Sequence, residues 1–300
     1  MSAGPISAAP ALKMGGRRLP PWVATTALLL PAYGWLLIAI FLPLGAMFLF
    51  SFMTATPIGN KEIGYTLDQY KIFFTQPYMW QVASWTFQIA FATTLICAVT
   101  GFLAALALAR SGLGRSQWIF LILILLPFWT NGLVRIFSWT MVIREGGFLD
   151  AVVQFILPEA ASVGFLYSRP AIVLGLVHGY LPYMVLTCYI AISTIDDAIV
   201  EAAESLGARW WTILGRILIP MAAPGLIAGS VLIFVPVVGA FMEPRILGGP
   251  QGVTLGTVIE DSFTQGFNWP QGAALSFMLL AVVLAIFATF SGVLSRNAEL

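Results

Sequence analysis

Charged residues are scarce in this chain. Only 9% of its 300 residues are Asp, Glu, Lys or Arg, while 59% are hydrophobic. A soluble domain typically carries about 25% charged residues. This composition excludes an ordinary soluble protein and predicts an integral membrane protein with almost all of its mass in the bilayer. The net charge is only +1 and no basic tract or RNA-reading motif occurs, so we expect no nucleic-acid partner.

Residues that build catalytic or metal centres are equally few. The chain has one histidine, His178, and two cysteines, Cys97 and Cys188, which lie inside apolar runs. Such cysteines are most simply small buried hydrophobes rather than a disulfide framework or a metal site. An ATP-binding loop requires a Gly-Lys pair, and no lysine here follows glycine. We therefore predict a protein that is not an enzyme, binds no metal or cofactor, and takes any energy it needs from a partner chain or an ion gradient.

Six apolar stretches are long enough to cross a bilayer, which takes about 20 helical residues. They cover residues 22–52, 82–109, 118–143, 171–192, 221–242 and 270–294. The sequence therefore predicts an all-α membrane protein whose six transmembrane helices form one domain over residues 22–296. Residues 1–21 are predicted to be a flexible cytoplasmic tail. The polar segments at 53–80, 144–169 and 243–268 are predicted to be loops, the first with a short surface helix near residues 67–74.

Lysines and arginines are distributed unequally between the two sides that six spans would define. The side with both termini and residues 193–220 holds eight of them, and the other side holds five. Cytoplasmic segments carry an excess of Lys and Arg. We therefore expect both termini and residues 193–220 to be cytoplasmic.

Residues 193–220 form the longest charged interruption in the apolar second half of the chain. Apolar residues recur there at helical spacing, and the acidic residues fall on another face. The apolar positions are Ile195, Ile199, Ala202, Ala203 and Leu206. The pattern predicts an amphipathic helix that starts near Ser193 and ends at a left-handed Gly207. A second short helix is predicted over residues 208–220, where proline would stop it.

The same stretch resembles the EAA loop of ABC-importer permeases. The family pattern is Glu-Ala-Ala-x3-Gly-x9-Ile-x-Leu-Pro, and this chain departs from it only in having Ile219 in place of leucine. The matching residues are Glu201, Ala202, Ala203, Gly207, Ile217 and Pro220. Two alanines let helix backbones approach closely, and glycine permits a sharp turn. An ordinary amphipathic surface helix is the alternative interpretation.

This resemblance implies the type I ABC-importer permease fold in a bacterial inner membrane. In that family the loop is the cytoplasmic coupling helix, which docks into a groove on a separate ATPase subunit. The resemblance therefore implies three partners: an ABC ATPase dimer that holds ATP and Mg²⁺, a second and similar permease subunit in a heterodimer, and a periplasmic solute-binding protein. The six matching residues would then act in coupling and not in catalysis.

Further segments resemble one branch of the family, the spermidine/putrescine-type permeases. They are residues 126–135, 179–186, 229–236, 247–250 and 268–270. The likeness covers about residues 30–295. It implies uptake of a small polar solute, most simply a polyamine, although relatives of this branch carry other solutes, such as amino-acid-like compounds, opines or phosphonates.

A polyamine is a flexible polycation, so its pathway needs carboxylates for charge and aromatic faces for cation–π contact. The candidate pathway residues are Trp129, Asn131, Arg135, Tyr180, Phe241, Glu243 and Arg245, with Tyr183, Glu260 and Asp261 as further candidates. One departure from the branch bears on the substrate. Where putrescine permeases tend to carry acids, this chain has Ala240 and the cationic Arg245. A zwitterionic or anionic solute is therefore an alternative.

Two residues in the predicted spans allow two interpretations each. A charge at the centre of a span costs roughly 2.5–3.5 kcal/mol. Arg135 therefore either lines the pathway or pairs with an acid, or it lies near the outer end and extends to the interface. His178 is interpreted as a hydrogen-bonded packing residue in preference to a pore residue. The alternative function is an ion-coupled secondary transporter, although such proteins often place acids within their spans.

Overall fold

The computed structural model describes residues 21–57, 64–111, 114–157 and 162–297. Within these ranges the chain is helical, and β pairing is confined to one isolated antiparallel bridge between Met53 and Tyr65. The all-α prediction is confirmed. The tail predicted over residues 1–21 lies, up to residue 20, outside the described residues.

Thirteen α-helices are found in the described part of the chain. They are α1 (Pro21–Phe50), α2 (Asp68–Thr75), α3 (Pro77–Ala109), α4 (Gln117–Leu125), α5 (Gly132–Ile143), α6 (Phe148–Ile156), α7 (Arg169–Ser193), α8 (Asp197–Ser205), α9 (Trp210–Ile213), α10 (Ile219–Val238), α11 (Met242–Gly248), α12 (Leu255–Thr264) and α13 (Trp269–Asn297). Five helical stretches are long and apolar enough to cross a membrane, and a bent pair of helices makes a sixth if it counts as one span.

The chain divides into two compact units, Met1–Leu49 and Phe50–Leu300. The first unit contains nearly all of α1, a continuous helix with Pro31 and Pro43 in its interior. Its 30 residues measure about 45 Å at 1.5 Å per residue, which is enough to cross a bilayer.

The second unit is built around α7, with α3 and α10 packed against it. Cys97, Met184, Cys188 and Ile233 are fully buried where these helices meet. Glycine permits the close approach of α3 to α7, because a Cβ atom at Gly101 would lie only 2.7 Å from Cγ of Met184. Both cysteines are free and buried, which confirms their prediction as small hydrophobes.

The single span predicted over residues 118–143 is broken. α4 continues into a 3₁₀ turn (Leu126–Trp129), and α5 follows after two residues. The helical segments before and after this break, Gln117–Trp129 and Gly132–Ile156, are bent by 91° relative to each other. Thr130 and Asn131 are extended between the two helices, and the Asn131 side chain accepts a hydrogen bond from the Leu133 amide at 2.8 Å. The break arises because asparagine caps a new helix here. The sequence predicted a span here but not its break.

The second short helix predicted over residues 208–220 does not end at Pro220. One continuous helical stretch runs from Trp210 to Val238, through a π-helical turn at Leu214–Leu218. In this turn the amide of Ile219 donates to the carbonyl of Leu214, five residues earlier. A proline ring normally meets the carbonyl four residues before it, and the wider turn leaves room for that ring.

The predicted polar loops contain helices of their own. α2 agrees with the short helix predicted at residues 67–74, but α6, α11 and α12 were not predicted. The fifth predicted span, 221–242, therefore ends at Val238, and α11 starts a separate helix after a break at residues 239–241.

Candidate functional site

The first helix of the predicted coupling loop (residues 193–220) begins about one turn later than expected. Asp196 is the N-cap of α8, and its side chain accepts a hydrogen bond from the Ala198 amide at 3.0 Å. Ser193 instead ends α7, where its hydroxyl donates to the Tyr189 carbonyl at 2.7 Å. The predicted start near Ser193 was therefore wrong, because Asp196 supplies the acceptor that starts the helix.

Gly207 ends α8 in the left-handed conformation that the sequence predicts, with φ at +78°. The Ala208 amide donates to the Ala203 carbonyl at 3.0 Å, and the Gly207 amide donates to the Glu204 carbonyl at 2.9 Å. These two bonds make a Schellman motif, which satisfies carbonyl groups that the helix end would leave unpaired.

Several apolar residues of the coupling loop are exposed. Leu206 is 88% exposed and Trp211 is 77% exposed, whereas Ile195 is buried and Ala203 packs partly against the core. Glu201 and Ala202 are also exposed. The two remaining motif residues, Ile217 and Pro220, lie in the continuous helix that follows. The loop thus presents apolar surface that the described chain does not cover, as a binding site for a partner does.

An ion pair that was not predicted joins the coupling loop to α3. Arg110, the C-cap residue of α3, pairs with Asp197, the first residue of α8. The Arg110 side chain is only 21% exposed, while that of Asp197 is 80% exposed. The partners are 87 residues apart in sequence. The start of α8 is therefore attached to two spans, through the chain to α7 and through this ion pair to α3.

A second group of candidates meets on one side of α7. A Cβ atom at Gly179 would lie 3.1 Å from a guanidinium nitrogen of Arg135 on α5, and a Cβ atom at Gly175 would lie 3.7 Å from Cγ of Glu243 on α11. Glu243 interacts electrostatically with Arg135 and with Tyr180. We call Arg135, Tyr180 and Glu243 the interior cluster. It brings together three of the seven predicted pathway residues.

Both charged members of the interior cluster follow a break in a helix. Arg135 lies in the first turn of α5 after the break at residues 130–131, and Glu243 lies in α11 after the break at residues 239–241. Neither is in an ion pair among the described residues. Discontinuous helices form the solute sites of many transporters near the middle of the membrane. The arrangement is therefore suited to binding a charged solute.

Aromatic rings extend from the interior cluster. Tyr180 and Tyr183 have ring centroids 6.1 Å apart, and Tyr183 packs edge-on against Phe128 at 4.9 Å. The neighbouring Trp129 is 90% exposed, and Phe241 lies partly exposed just before α11. These faces can attract a cation.

Two residues have partners that account for them in other ways. The Asn131 side chain caps α5, as described above. His178 accepts a hydrogen bond from Nε1 of Trp139 at 2.9 Å, and the two rings meet edge to face. This hydrogen bond agrees with the interpretation of His178 as a packing residue. No group of His, Cys, Asp and Glu that could hold a metal occurs among the described residues.

Arg245 is not a free cation. Its guanidinium pairs with both Glu260 and Asp261 on α12, 15 and 16 residues further along the chain. The hydrogen bond to Asp261 and the charges of both carboxylates raise the pKa of Arg245. One positive and two negative charges leave this group, the α11–α12 triad, with a net charge of −1.

Comparison with known proteins agrees with the fold. The family described as "Binding-protein-dependent transport system inner membrane component" matches residues 18–296. The chain is 31% identical over 270 residues to the spermidine/putrescine transport system permease protein PotB of Escherichia coli, covering 89% of this chain and 98% of the relative. It is 30% identical over 271 residues to PotB of Haemophilus influenzae, covering 89% and 94% of the two chains.

A solved structure shows the same fold. It is a bacterial ABC transporter involved in the import of the acidic polysaccharide alginate, with a TM-score of 0.76 and 18% identity, over 92% of this chain and 96% of that one. The family match spans nearly the whole chain, and the helical fold is shared with this solved transporter. The protein therefore belongs to the binding-protein-dependent transport system inner membrane components, and it is the permease component of an importer of this kind.

Proposed function

We propose that this chain is one of two permease subunits of a polyamine importer and that its solute is putrescine or spermidine. The relatives that it matches over nearly their whole length are named spermidine/putrescine permeases. The alternative of an anionic or zwitterionic solute was based on Ala240 and on the positive charge of Arg245. The observation that carries the proposal is the pairing of Arg245 with two carboxylates in the α11–α12 triad. Because two carboxylates neutralise Arg245, this surface bears a net negative charge and attracts a polycation.

The interior cluster would hold the solute on its way through the protein. An ammonium group of the polyamine would bind the Glu243 carboxylate, and its apolar carbon chain would lie along the rings of Tyr180 and Tyr183. Arg135 lies on the same side of α7 without forming an ion pair with Glu243, and its charge would favour the ionised form of that carboxylate. Both hydrogen bonding to a charged acceptor and cation–π contact favour such a ligand.

The relative direction of α3 and α7 supports a count of six membrane spans. At one end of α3 and α7 the Arg169 guanidinium lies 3.0 Å from the centroid of the Trp85 ring, and at the other end Arg110 pairs with Asp197. The start of α3 is thus next to the start of α7, and the two helices run parallel. A chain that connects two parallel spans has to cross the membrane between them. We therefore propose that the bent pair of α4 and α5 carries the chain across as one span.

Transport would be driven from the end of the protein that carries the coupling loop. We propose that this end is cytoplasmic, as the Lys and Arg distribution indicates, and that an ABC ATPase dimer binds the exposed surface of α8. That partner would hold ATP and Mg²⁺. A second permease subunit would complete the pathway, and a periplasmic binding protein would deliver the solute to the opposite end.

The experiment that tests this proposal is uptake into proteoliposomes that contain the complete complex and its binding protein. Labelled spermidine, putrescine, an amino acid and an anionic solute are offered with and without ATP. We expect ATP-dependent uptake of a polyamine alone. Uptake of the anion or the amino acid in place of the polyamines would refute the polyamine assignment while leaving the importer intact.

A variant links the uptake to the interior cluster. We expect Glu243→Gln to lower polyamine uptake roughly tenfold, because a hydrogen bond to a charged group contributes about 1.5–3 kcal/mol. The matched control is Glu145→Gln, since Glu145 is exposed and forms no ion pair among the described residues. Equal uptake by the two variants would remove Glu243 from the pathway.

A further inference from the structure

The ion pair between Arg110 and Asp197 has a role that goes beyond attachment. We propose that Arg110 is a positioning residue that makes α8 move together with α3 and α7, so that a displacement of α8 reaches the interior of the protein. This inference rests on the proposed function, in which an ATPase moves α8, and it deepens that function by naming the residue that transmits the motion. No part of the EAA-like motif includes Arg110 or Asp197.

The connection between α7 and α8 does not transmit rotation by itself. α7 ends at Ser193 and α8 begins at Asp197, so three residues, 194–196, separate the two helices. A helix held only by such a linker can turn about it. A second attachment at a different point prevents this rotation, because α8 can then move only together with both of the elements to which it is attached. Val200 and Ala203 of α8 also pack against the core, and the Arg110 ion pair adds a polar attachment at the first residue of α8.

The second attachment leads into a rigid part of the protein. α3 and α7 lie in contact along their length: Arg169 covers the Trp85 ring at one end, the Cys97 thiol lies 3.8 Å from the Val177 carbonyl oxygen, and Gly101 lies against Met184. The order of these contacts along both helices is the same, and the Arg110 ion pair continues it. Close-packed interiors transmit displacement without yielding. A push on α8 is therefore applied to α3 and α7 as one body.

The position of Arg110 suits it to this role. Its side chain is mostly buried at the end of α3, so the guanidinium is fixed with respect to that helix. Asp197 is the partner that projects into solvent, and the other acids of α8, Glu201 and Glu204, form no ion pair among the described residues. Their carboxylates remain on the surface that a partner would contact, while Asp197 is committed to the attachment.

The first test measures the freedom of α8 directly and needs no substrate. Spin labels on cysteines introduced at the exposed positions Leu206 and Ala107 report the distance between the end of α8 and α3 in the complete complex in nanodiscs. The fully buried Cys97 and Cys188 are protected from labelling. We expect Arg110→Gln and Asp197→Asn to broaden the distance distribution, and the exchange pair Arg110→Asp with Asp197→Arg to narrow it again. An unchanged width in both single variants would overturn the proposal.

The second test separates positioning from simple stability. We expect Arg110→Gln to leave ATP hydrolysis running but to lower the spermidine taken up per ATP by about fivefold, the size of a modest coupling between sites. The exchange pair should restore the ratio. Asp197→Asn provides the same test at an exposed side chain whose replacement does not disturb the core. The control is Arg144→Gln, since Arg144 caps α5 as Arg110 caps α3 but has no ionic partner among the described residues.

The outcomes distinguish this inference from the proposed function. A broadened distance with an unchanged ratio of uptake to ATP would show that the ion pair orders α8 without transmitting motion, which overturns the inference. A wild-type complex that hydrolyses ATP but takes up an anion in place of spermidine would refute the polyamine assignment alone. The ratio is then measured with that anion, and the inference stands or falls on the same comparison.

Discussion

Gly207 holds the coupling loop in a conformation that few other residues adopt. At φ +78° an added Cβ atom meets no neighbouring atom within 4 Å, so the cost of Gly207→Ala comes from the backbone alone. That cost is about 1–2 kcal/mol for an L-residue in this region. We expect Gly207→Ala to lower uptake at an unchanged amount of protein in the membrane, and Gly207→Asn to retain most of it because asparagine tolerates the left-handed region. Uptake assays and immunoblots of membranes measure both.

The control for this prediction is Gly215→Ala. Gly215 also has no atom within 4 Å of an added Cβ, but it does not have a positive φ. Its replacement should leave uptake close to wild type. Equal losses at both positions would show that space, and not the left-handed turn, is the constraint.

Arg245 moderates the charge of the α11–α12 triad. Arg245→Gln would change the net charge from −1 to −2, since Glu260 and Asp261 would lose their shared partner. We expect a lower KM for spermidine at low ionic strength and a smaller difference at high salt, because exposed charges are screened. Steady-state uptake at two salt concentrations measures this effect. A raised KM at both salt concentrations would mean that Arg245 contacts the solute or its binding protein directly.

Gly207 and Arg245 differ in how far the sequence could predict their conformation and their contacts. The conformation of Gly207 depends on the turn that contains it, so the local pattern of helix and glycine was enough. The neutralisation of Arg245 depends on acids from another helix, and the partner of Arg110 is 87 residues away. Pairings over such distances depend on how the helices pack, which neighbouring sequence does not encode.

At the scale of the elements, the Asn131 cap fixes the start of α5 and therefore the position of Arg135 in its first turn. We expect Asn131→Ala to lower the midpoint of thermal unfolding and to reduce uptake, because loss of an N-cap costs about 1 kcal/mol. Asn131→Asp and Asn131→Ser should keep both properties, since either side chain can accept the bond from the Leu133 amide. Loss of uptake in the serine variant at unchanged stability would instead assign Asn131 to the pathway.

Hydropathy predicted where the apolar helices lie but not how they are interrupted. The break before α5 and the π-helical turn before Pro220 both occur within strongly apolar stretches, where composition does not change. Each depends on a single polar or ring-bearing residue, Asn131 or Pro220, and on the neighbours that accommodate it. The short helices α6, α11 and α12 were missed because glycines, prolines and charged residues there resemble a loop. As a result, Glu243 was predicted as a loop residue and was found beside a span.

At the scale of the whole molecule, the parallel arrangement of α3 and α7 makes a prediction about sidedness. If the bent pair crosses the membrane, Tyr65 before α3 and Leu206 after α8 lie on opposite sides. If it turns back, α7 would run in the opposite direction and the two residues would share a side. The contacts at both ends of α3 favour the first arrangement.

Labelling decides between these arrangements. Tyr65→Cys and Leu206→Cys place a thiol on well exposed positions, and both native cysteines are buried. We expect a membrane-impermeant maleimide to label Tyr65→Cys in intact spheroplasts and to label Leu206→Cys only after the membrane is opened. Labelling of both from outside would reduce the count to five spans and place the coupling loop away from ATP. Because an ATPase on the cytoplasmic side could not then reach α8, that single result would also overturn the proposed drive for transport.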